Sequence, residues 1–492
     1  MSTTEERLAE LEAENTALRA ENTLLRTQVD EVAGLRTQVE ALVAQVQELE
    51  ARLAKDSHNS SKPPSSDGLR RKTKSLRAKS GKKPGGQLGH RGETLHLVAT
   101  PDDVVEHRPA VCETCQTPLA EAASVVLYER RQVHELPPVM RLRVTEHRAL
   151  HVRCPSCERV SIGPFPAHVT SRAQYGARVR ALAVYLVEQQ HVPFGRVQQL
   201  LADVWGMRLG RGTVVGWVQQ AAQVLEPVER QIKVALSSAP VLHHDETGVR
   251  RAGQLAWAHV TSTGRLTHYA VHAKRGHEAT DAIGILPAFR GVSVHDGWGG
   301  YGVYTGCRHA LCNVHHLREL TFLEEQYRQA WAADLKALLR EMKAATDHAR
   351  TDGQLHLAPG VRADFVQRYQ ALLRAGLAAN PPPPEQERRP GQRGRLAQTP
   401  ARNLLERLLL QQDQVLAFLD DLSVPFDNNQ AERDLRDLKV QQKVSGCFRS
   451  DRGAAAYARI RGYLATLRKQ GQALLVALET VVAGRPLHPA FA

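Results

Sequence analysis

From Leu8 to Leu53 apolar side chains return at alternating steps of three and four, through Leu8, Leu11, Leu18, Leu25, Val29, Val32, Leu35, Val39, Leu42, Val46, Leu49 and Leu53. No other stretch restricts the conformation so tightly, because only a helix with a continuous apolar seam satisfies that period over such a length. The seam predicts a parallel coiled coil and so a homodimer or higher oligomer; a solvated single helix and a helix packed on the chain's own body are the alternatives. Asn15 and Asn22 occupy seam positions, where a buried Asn lowers stability but fixes register and favours two strands. Val29, Val32 and Leu35 are separated by two successive steps of three, a stammer that overwinds the coil locally, with Gly34 inside it.

Beyond the repeat the composition changes. Residues 56–95 are rich in Ser, Pro, Gly, Lys and Arg and cannot bury a core. Arg70, Arg71, Lys72, Lys82 and Lys83 make this segment a candidate DNA-binding arm, with affinity that falls as salt rises; a solvated linker has the same composition. The full chain of 492 residues carries a formal charge of +13, which suits a polyanionic partner without establishing one. Its seven cysteines are too few for a disulfide scaffold, no stretch approaches about 18 consecutive apolar residues, and the acidic N-terminus lacks a signal pattern. A cytoplasmic protein with no membrane partner is expected.

Four of the cysteines form two pairs, Cys112-x-x-Cys115 and Cys154-x-x-Cys157. Two such knuckles can supply four thiolates to one tetrahedral structural Zn²⁺; redox or unligated thiols are the other possibility. Between them, Val125 to Val133 and Arg141 to Val152 alternate in the manner of β-strands, and Pro137-Pro138 would turn one run back on the other. Three helical segments follow, near Tyr175 to Gln190, Phe194 to Trp205 and Gly212 to Leu225, with breaks that suit a helix-turn-helix or a plain helical scaffold.

The chemistry is expected further on. Pro240-Val241-Leu242 leads into His243-His244-Asp245-Glu246-Thr247, which reads as a buried strand ending in polar residues. Strand-like runs at Leu255 to Thr261 and Leu266 to Val271 come next, then a helix near Glu278 to Leu286. A fourth run, Gly291 to His295, delivers Asp296 before Gly297-Trp298-Gly299-Gly300-Tyr301, and a fifth, His309 to Cys312, turns into a helix from Asn313 to Glu324. Three strands, a helix, a strand and a helix-flanked strand form the order of a ribonuclease-H-like fold, in which acids on the first and fourth strands lie side by side. Hard oxygen ligands so placed suit Mg²⁺, and two ions about 3.5–4 Å apart would serve phosphodiester displacement.

A third acid should come from a helix. Phe426 to Glu432 provides one, with Asp427 or Asn428 as its N-cap. On that helix Arg436, Lys439 and Lys443 share the face of Glu432 and are candidate phosphate contacts, whereas Ala431, Leu435 and Leu438 form an inward face. Asp434 and Asp437 point away. Simple pairing of Glu432 with Arg436 would be worth only tenths of a kcal/mol.

Through these residues the chain resembles the TnpC-type transposases of the bacterial insertion-sequence sixty-six family, DDE transposases with a ribonuclease-H-like core. The resemblance is carried by Asn59 to Asp67, Pro84 to His90, the two cysteine knuckles, Asp245-Glu246-Thr247, Asp296 to Tyr301, Asp427 to Arg433 and Ser450 to Gly453, and it spans nearly the whole chain. It implies that Asp245, Asp296 and Glu432 are the catalytic, metal-binding triad for two Mg²⁺ or Mn²⁺ ions. It also implies double-stranded element ends and target DNA as substrate, and small accessory proteins of the same element as partners of a nucleoid-associated protein. Cys312-Asn313-Val314-His315 resembles the Cys-x-x-His signature that follows the second Asp in several transposase branches, with Arg318 in the basic region beyond it. Cys307, Cys312 and His315 have the residue types of a small local zinc site.

The expected architecture is multidomain α+β. It comprises a coiled coil at 1–55, a basic linker at 56–95, a zinc module at 96–168, a helical DNA-binding-like region at 169–236, a ribonuclease-H-like core at 237–445 with a helical insertion at about 320–425, and C-terminal helices at 446–492. The expected activity is binding of terminal inverted repeats, Mg²⁺-dependent end cleavage and strand transfer. A zinc and coiled-coil DNA-binding regulator without catalysis, and a ribonuclease-H-like nuclease acting on branched or hybrid DNA, are the competing readings.

Overall fold

The computed structural model describes residues 4–60, 95–119, 125–134, 136, 140–384 and 393–491. The basic residues Arg70, Arg71, Lys72, Lys82 and Lys83 and the Pro137-Pro138 turn lie outside them. Helix α1, Thr4–Leu53, runs unbroken through Gly34. Every seam residue from Leu8 to Leu53 is exposed, so among the described residues nothing in the chain's own body covers the seam. Only the end of α1 meets a core. Ala51 is buried there, Lys55 lies 4.8 Å from the Phe322 ring centre, and His58 Nε2 is 3.2 Å from Glu325 Oε1. Buried Asn59 closes the following turn, accepting from the Asp56 N–H at 2.9 Å and donating to the Ala54 carbonyl at 3.2 Å.

The chain divides into two units, one of residues 77–172 and 195–211 and the other of the remainder. The division splits the helical region expected at 169–236. In the first unit, strands β1, His151–Arg153, and β2, Val160–Ile162, pair antiparallel. The alternating runs at Val125 to Val133 and from Arg141 up to β1 are not strands, contrary to expectation. Alternation drives pairing only when one face is buried, and Val126, Leu127, Tyr128, Val133 and Val144 all stay exposed. In place of a ladder, the Gln132 side chain serves both the Val98 N–H, at 2.7 Å, and the Val98 carbonyl, at 3.0 Å.

The helical segments form close to expectation. Helix α2, Ala177–Val184, continues as a π-turn to Gln189; α3 is Phe194–Trp205, α4 Arg211–Val224 and α5 Glu226–Ser237. Gly206, with φ +65°, ends α3 through a bond from its N–H to the Ala202 carbonyl.

The second unit is built on a five-stranded sheet of β3, Val241–Arg251; β4, Gln254–Ser262; β5, Thr267–His272; β6, Val292–His295; and β7, Arg308–Leu311. Helix α6, His277–Ile283, sits between β5 and β6. The strand order is β5-β4-β3-β6-β7, with β4 antiparallel to both β3 and β5, β6 parallel to β3 and β7 parallel to β6. One expectation is corrected: β3 does not end at Asp245 but runs on to Arg251 and returns as β4. Ala252 at φ +47° and Gly253 at φ +80° form the two-residue hairpin loop that this twist demands. The parallel partner β6 enters through Gly291, where a Cβ would stand 2.3 Å from the Pro240 carbonyl oxygen. Only glycine permits that approach.

After β7 come α7, Asn313–Tyr327; α8, Ala330–Thr351; α9, Pro359–Ala379; α10, Pro400–Leu410; and the short α11, Gln412–Val415, and α12, Ala417–Asp420. These helices lie between β7 and α13, and Leu335, Leu339, Tyr369, Leu405 and Phe418 are buried in one cluster with β6 and β7 residues such as Val294 and Ala310. Helix α13, Asn429–Ser445, and α14, Asp451–Lys469, cover the rest of the same sheet face, and α15, Leu474–Val482, closes the chain. Ala431, Leu435 and Leu438 do face inward, against Val249, Ala256, Ala258 and Val260. Of the C-terminal helices, α14 thus belongs to the sheet's cover, while α15 packs against α2 and α14.

Candidate active site

Sheet register brings the first two acids together. β3 pairs with β6 as Val241 with Val292, Leu242 with Ser293 and His243 with Val294. Two residues further, the same register sets Asp245 level with Asp296. Because side chains alternate across a pleat, Asp245 shares its face with Val241 and Val249, and Asp296 with Val292 and Val294. That is the face covered by α13. β6 and β7 pair as His295 with Leu311, so the next level after Asp296 is Cys312, where the chain turns into α7.

Glu432 enters from the first turn of α13. The helix start is fixed by Asn428, which is almost fully buried. Its Nδ2 donates to the His244 carbonyl at 2.7 Å, its Oδ1 meets His243 Nδ1 at 2.9 Å, and its backbone N–H points at Cys312 Sγ at 3.2 Å. Asn428 is the N-cap by position, but its side chain makes no capping bond. Asp427 Oδ1 instead accepts from the Asn429 N–H at 3.1 Å. Asn313 braces the same joint, with its N–H on the Phe426 carbonyl and its side-chain amide on the Val415 carbonyl.

The electrostatics follow from this crowding. Burial first, then the charges of Glu246, Asp296 and Glu432, push the Asp245 carboxyl up to about 8, although its Oδ1 accepts from the Glu246 N–H at 2.8 Å. Like charges close together in a partly desolvated place favour the proton or a cation. Burial also pushes the Cys312 thiol up to about 12 and lowers His315. Among the described residues, one group of three or more ligating atoms is gathered within reach of a single ion: Cys312, His315 and Glu432, all within 4.8 Å of one another. Cys307 does not join them; its Sγ lies 3.4 Å from the Tyr304 carbonyl and 3.9 Å from His309 Nε2.

The reverse face of the sheet, which sequence reasoning missed, carries a polar layer that holds the acids in place. Buried Glu246 is gripped by Arg275 through Nε at 2.7 Å and Nη2 at 2.6 Å, and accepts from the Tyr301 hydroxyl. Arg275 lies between two indoles, 5.0 Å from the Trp257 ring centre and 4.5 Å from that of Trp298. The Trp298 N–H donates to Asp296 Oδ1 at 2.9 Å. The segment Asp296 to Tyr301 is therefore a clasp: Tyr301 and Trp298 tie the loop that carries Asp296 to the strand that carries Asp245. The acid at 246 next to Asp245, and aromatic residues after Asp296, were the available signal; Arg275 offered none.

Arg436, Lys439 and Lys443 are exposed and form no ion pair among the described residues, and Glu432 does not pair with Arg436. Asp434 and Asp437 are spoken for elsewhere, by Lys469 at 2.9 Å and by buried Arg461. Arg318 is half-buried on α7, with its charge acting on His315.

In the cysteine unit both knuckles adopt one turn. The Cys112 N–H bonds the Thr117 carbonyl and the Gln116 N–H the Cys112 carbonyl, and Cys154, Arg159 and Glu158 repeat the pattern. Hydrogen bonds from Thr117 lower the Cys115 thiol to about 7, and those from Cys157 and Ser156 lower Cys154. The four sulfurs are not gathered into one ligand set.

A parallel-strand pair of acids under a helix that carries a third defines a DNA-acting enzyme once the family is known, and the family is clear. Residues 172–456, more than half of the chain, match the model described as Transposase IS66 family, and the chain belongs to that family. Residues 2–96 match a family of unknown function, DUF6444. No curated protein matches the chain. Among the described residues no helix is long and apolar enough to cross a membrane.

Proposed function

We propose that this transposase binds the inverted repeats at the ends of its element, cleaves there and joins the freed 3′-hydroxyl to target DNA, with Asp245, Asp296 and Glu432 as the ligands of two divalent ions, Mg²⁺ or Mn²⁺. The observation that carries this reading is the shared level of Asp245 and Asp296 on adjacent parallel strands, with Glu432 near enough for its charge to act on Asp245. The strand order supports a ribonuclease-H-like core. The donor set fits hard cations: carboxylates crowded closely enough that the charges of Asp296 and Glu432 help push the Asp245 carboxyl up. Bound there, such ions supply Lewis-acid activation of the attacking oxygen and stabilisation of the leaving one.

The chain's own residues do the positioning. Asn428 locks Glu432 over the sheet, and the Arg275, Trp298 and Tyr301 clasp keeps Asp296 level with Asp245. Arg436, Lys439 and Lys443 extend a basic stripe along α13 away from the acids, and with Arg318 they neutralise phosphates of the DNA end, while Arg70, Arg71, Lys72, Lys82 and Lys83 add a salt-dependent arm. The exposed seam of α1 is read as a coiled-coil dimer interface, which brings two protomers to two ends. Cys112, Cys115, Cys154 and Cys157 are read as structural zinc ligands on the strength of their matched turns, a reading in which the ion draws together four sulfurs that are not gathered into one ligand set here.

Replacing Asp245 with Ala tests the centre. End DNA should bind as before in a mobility-shift assay, whereas Mg²⁺-dependent cleavage should fall by at least about 10³-fold. Cleavage at the wild-type rate would remove Asp245 from the mechanism, and with it the reading of a metal-dependent triad.

A further inference from the structure

We infer that Cys312, His315 and Glu432 form a binding site for a thiophilic divalent cation of the Zn²⁺ class, distinct from the oxygen-only pair formed by Asp245 and Asp296. The inference rests on the proposed triad only for the statement that Glu432 is shared between the two sites.

Three features of the site point to this chemistry. The ligating atoms of the three residues already lie within 4.8 Å of one another, so an ion at their centre needs only small side-chain shifts. The donors are a sulfur, an imidazole and a carboxylate, a set that selects zinc-like ions over Mg²⁺, which takes oxygen ligands and keeps its waters. Three protein ligands leave a fourth position open, as in zinc sites that exchange a water or substrate oxygen.

The surroundings are suited to holding such an ion. His315 Nδ1 is buried with no hydrogen-bond partner among the described residues, so this imidazole is not committed through that nitrogen to a bond with the protein. The Asn428 N–H directed at Cys312 Sγ stabilises a thiolate, and Asn428 is itself fixed to β3. Neutral His315 with ionised Cys312 and Glu432 carries two negative charges, which one divalent cation balances. Binding exchanges one proton: the thiol S–H bond breaks, a metal–sulfur bond forms, and the proton leaves to solvent.

A shared Glu432 makes the two sites antagonistic. When a thiophilic ion holds this carboxylate it is less available to the Asp245 and Asp296 side, so Mg²⁺ and Zn²⁺ compete although their other ligands differ.

The test is a titration of the chelator-treated full-length protein with Co²⁺, which reports thiolate ligation by its near-ultraviolet charge-transfer band and coordination number by its visible spectrum. Wild-type protein should bind one more equivalent per chain than Cys312→Ser, whatever the knuckle cysteines contribute to both. His315→Gln, which leaves the thiol in place, should weaken that equivalent by at least tenfold, and millimolar Mg²⁺ should weaken it in the wild type. Equal Co²⁺ stoichiometry and spectra in wild type and Cys312→Ser, with the two proteins equally folded by circular dichroism, would overturn the site. Should Cys312→Ser fail to fold, an unchanged Co²⁺ affinity in folded His315→Gln overturns it instead. Cleavage at the wild-type rate in Asp245→Ala would count against the triad and leave this binding result standing.

Discussion

Asn428 at the start of α13 donates from its side-chain amide to the backbone carbonyl of His244, the residue immediately before Asp245, at 2.7 Å. This buried hydrogen bond, with the Asn428 Oδ1 contact to His243 Nδ1 beside it, joins the helix that supplies one acid to the strand that supplies another. Removing it with Asn428→Ala leaves the His244 carbonyl and His243 Nδ1 unpaired, at a cost of about 1–3 kcal/mol. The expected result is a lower denaturation midpoint together with a larger loss of end cleavage than the stability change explains, because Glu432 loses its anchor. An Asn428→Ala protein that cleaves at the wild-type rate would show that the joint does not position Glu432.

The raised Asp245 carboxyl makes a signed prediction about stability. Its proton is held up to about 8 in the folded chain, against an ordinary carboxylate range in the unfolded chain. The folded state therefore binds the proton more tightly, so this group's contribution is fully present below the ordinary carboxylate range and is lost as pH rises towards about 8. In metal-free buffer at pH 8, Asp245→Asn should melt at least about 2 °C above the wild type. Added Mg²⁺ should raise the wild-type midpoint and leave the variant nearly unmoved. A variant that melts lower than wild type in metal-free buffer would contradict the crowding of acids at this position.

Glu432 and Asp434 stand two residues apart on α13 and should behave oppositely. Glu432→Gln removes a charge from the acid cluster with little change of shape, so end cleavage should disappear while DNA binding and the melting midpoint hold. Asp434 is paired with Lys469 at 2.9 Å in a largely buried setting, so Asp434→Asn leaves the ammonium without its counter-charge, held by the Thr263 and Leu266 carbonyls, and should cost about 3 kcal/mol. Its cleavage rate per folded molecule should survive. Matched cleavage assays and chemical denaturation on the two variants decide this, and the reverse pattern would mean that the helix face has been assigned wrongly.

Much of the site was legible because strand alternation and helix periodicity are local. The runs at β3 to β7 could be read directly, and so could the inward face of Ala431, Leu435 and Leu438. The end of β3 was misread because polar residues after Leu242 look like a loop, whereas Thr247 to Arg251 continue the strand through a hairpin whose partner is β4. Contacts far apart in sequence left no local mark: Asn428 on His244, Glu432 beside Cys312, and Arg275 on Glu246 depend on how the layers stack. The alternation in the cysteine unit failed as a signal for the opposite reason, since Val126, Leu127 and Val144 have the pattern without a buried face.

The coiled-coil reading rests on the exposed seam and can be tested apart from catalysis. Leu18 and Leu25 are both about half exposed on α1, at 55% and 51%, and between them lies the seam position of Asn22. If a second copy covers the seam, each Leu moves from water into a knobs-into-holes contact, worth about 1.5–3 kcal/mol apiece, and an arginine at either place puts a charge in the interface. The double change Leu18→Arg and Leu25→Arg leaves the helix's own bonds intact and lies far from Ala51, where α1 meets the core. Sedimentation should therefore show a dimer or larger assembly for the wild type and a monomer for the variant, with an unchanged melting midpoint for the sheet-bearing unit. Cleavage that needs two ends held together should fall along with the assembly, whereas binding of a single end should weaken far less. A monomeric wild type would make the seam a surface for some other partner and would remove the pairing of ends from the role of α1.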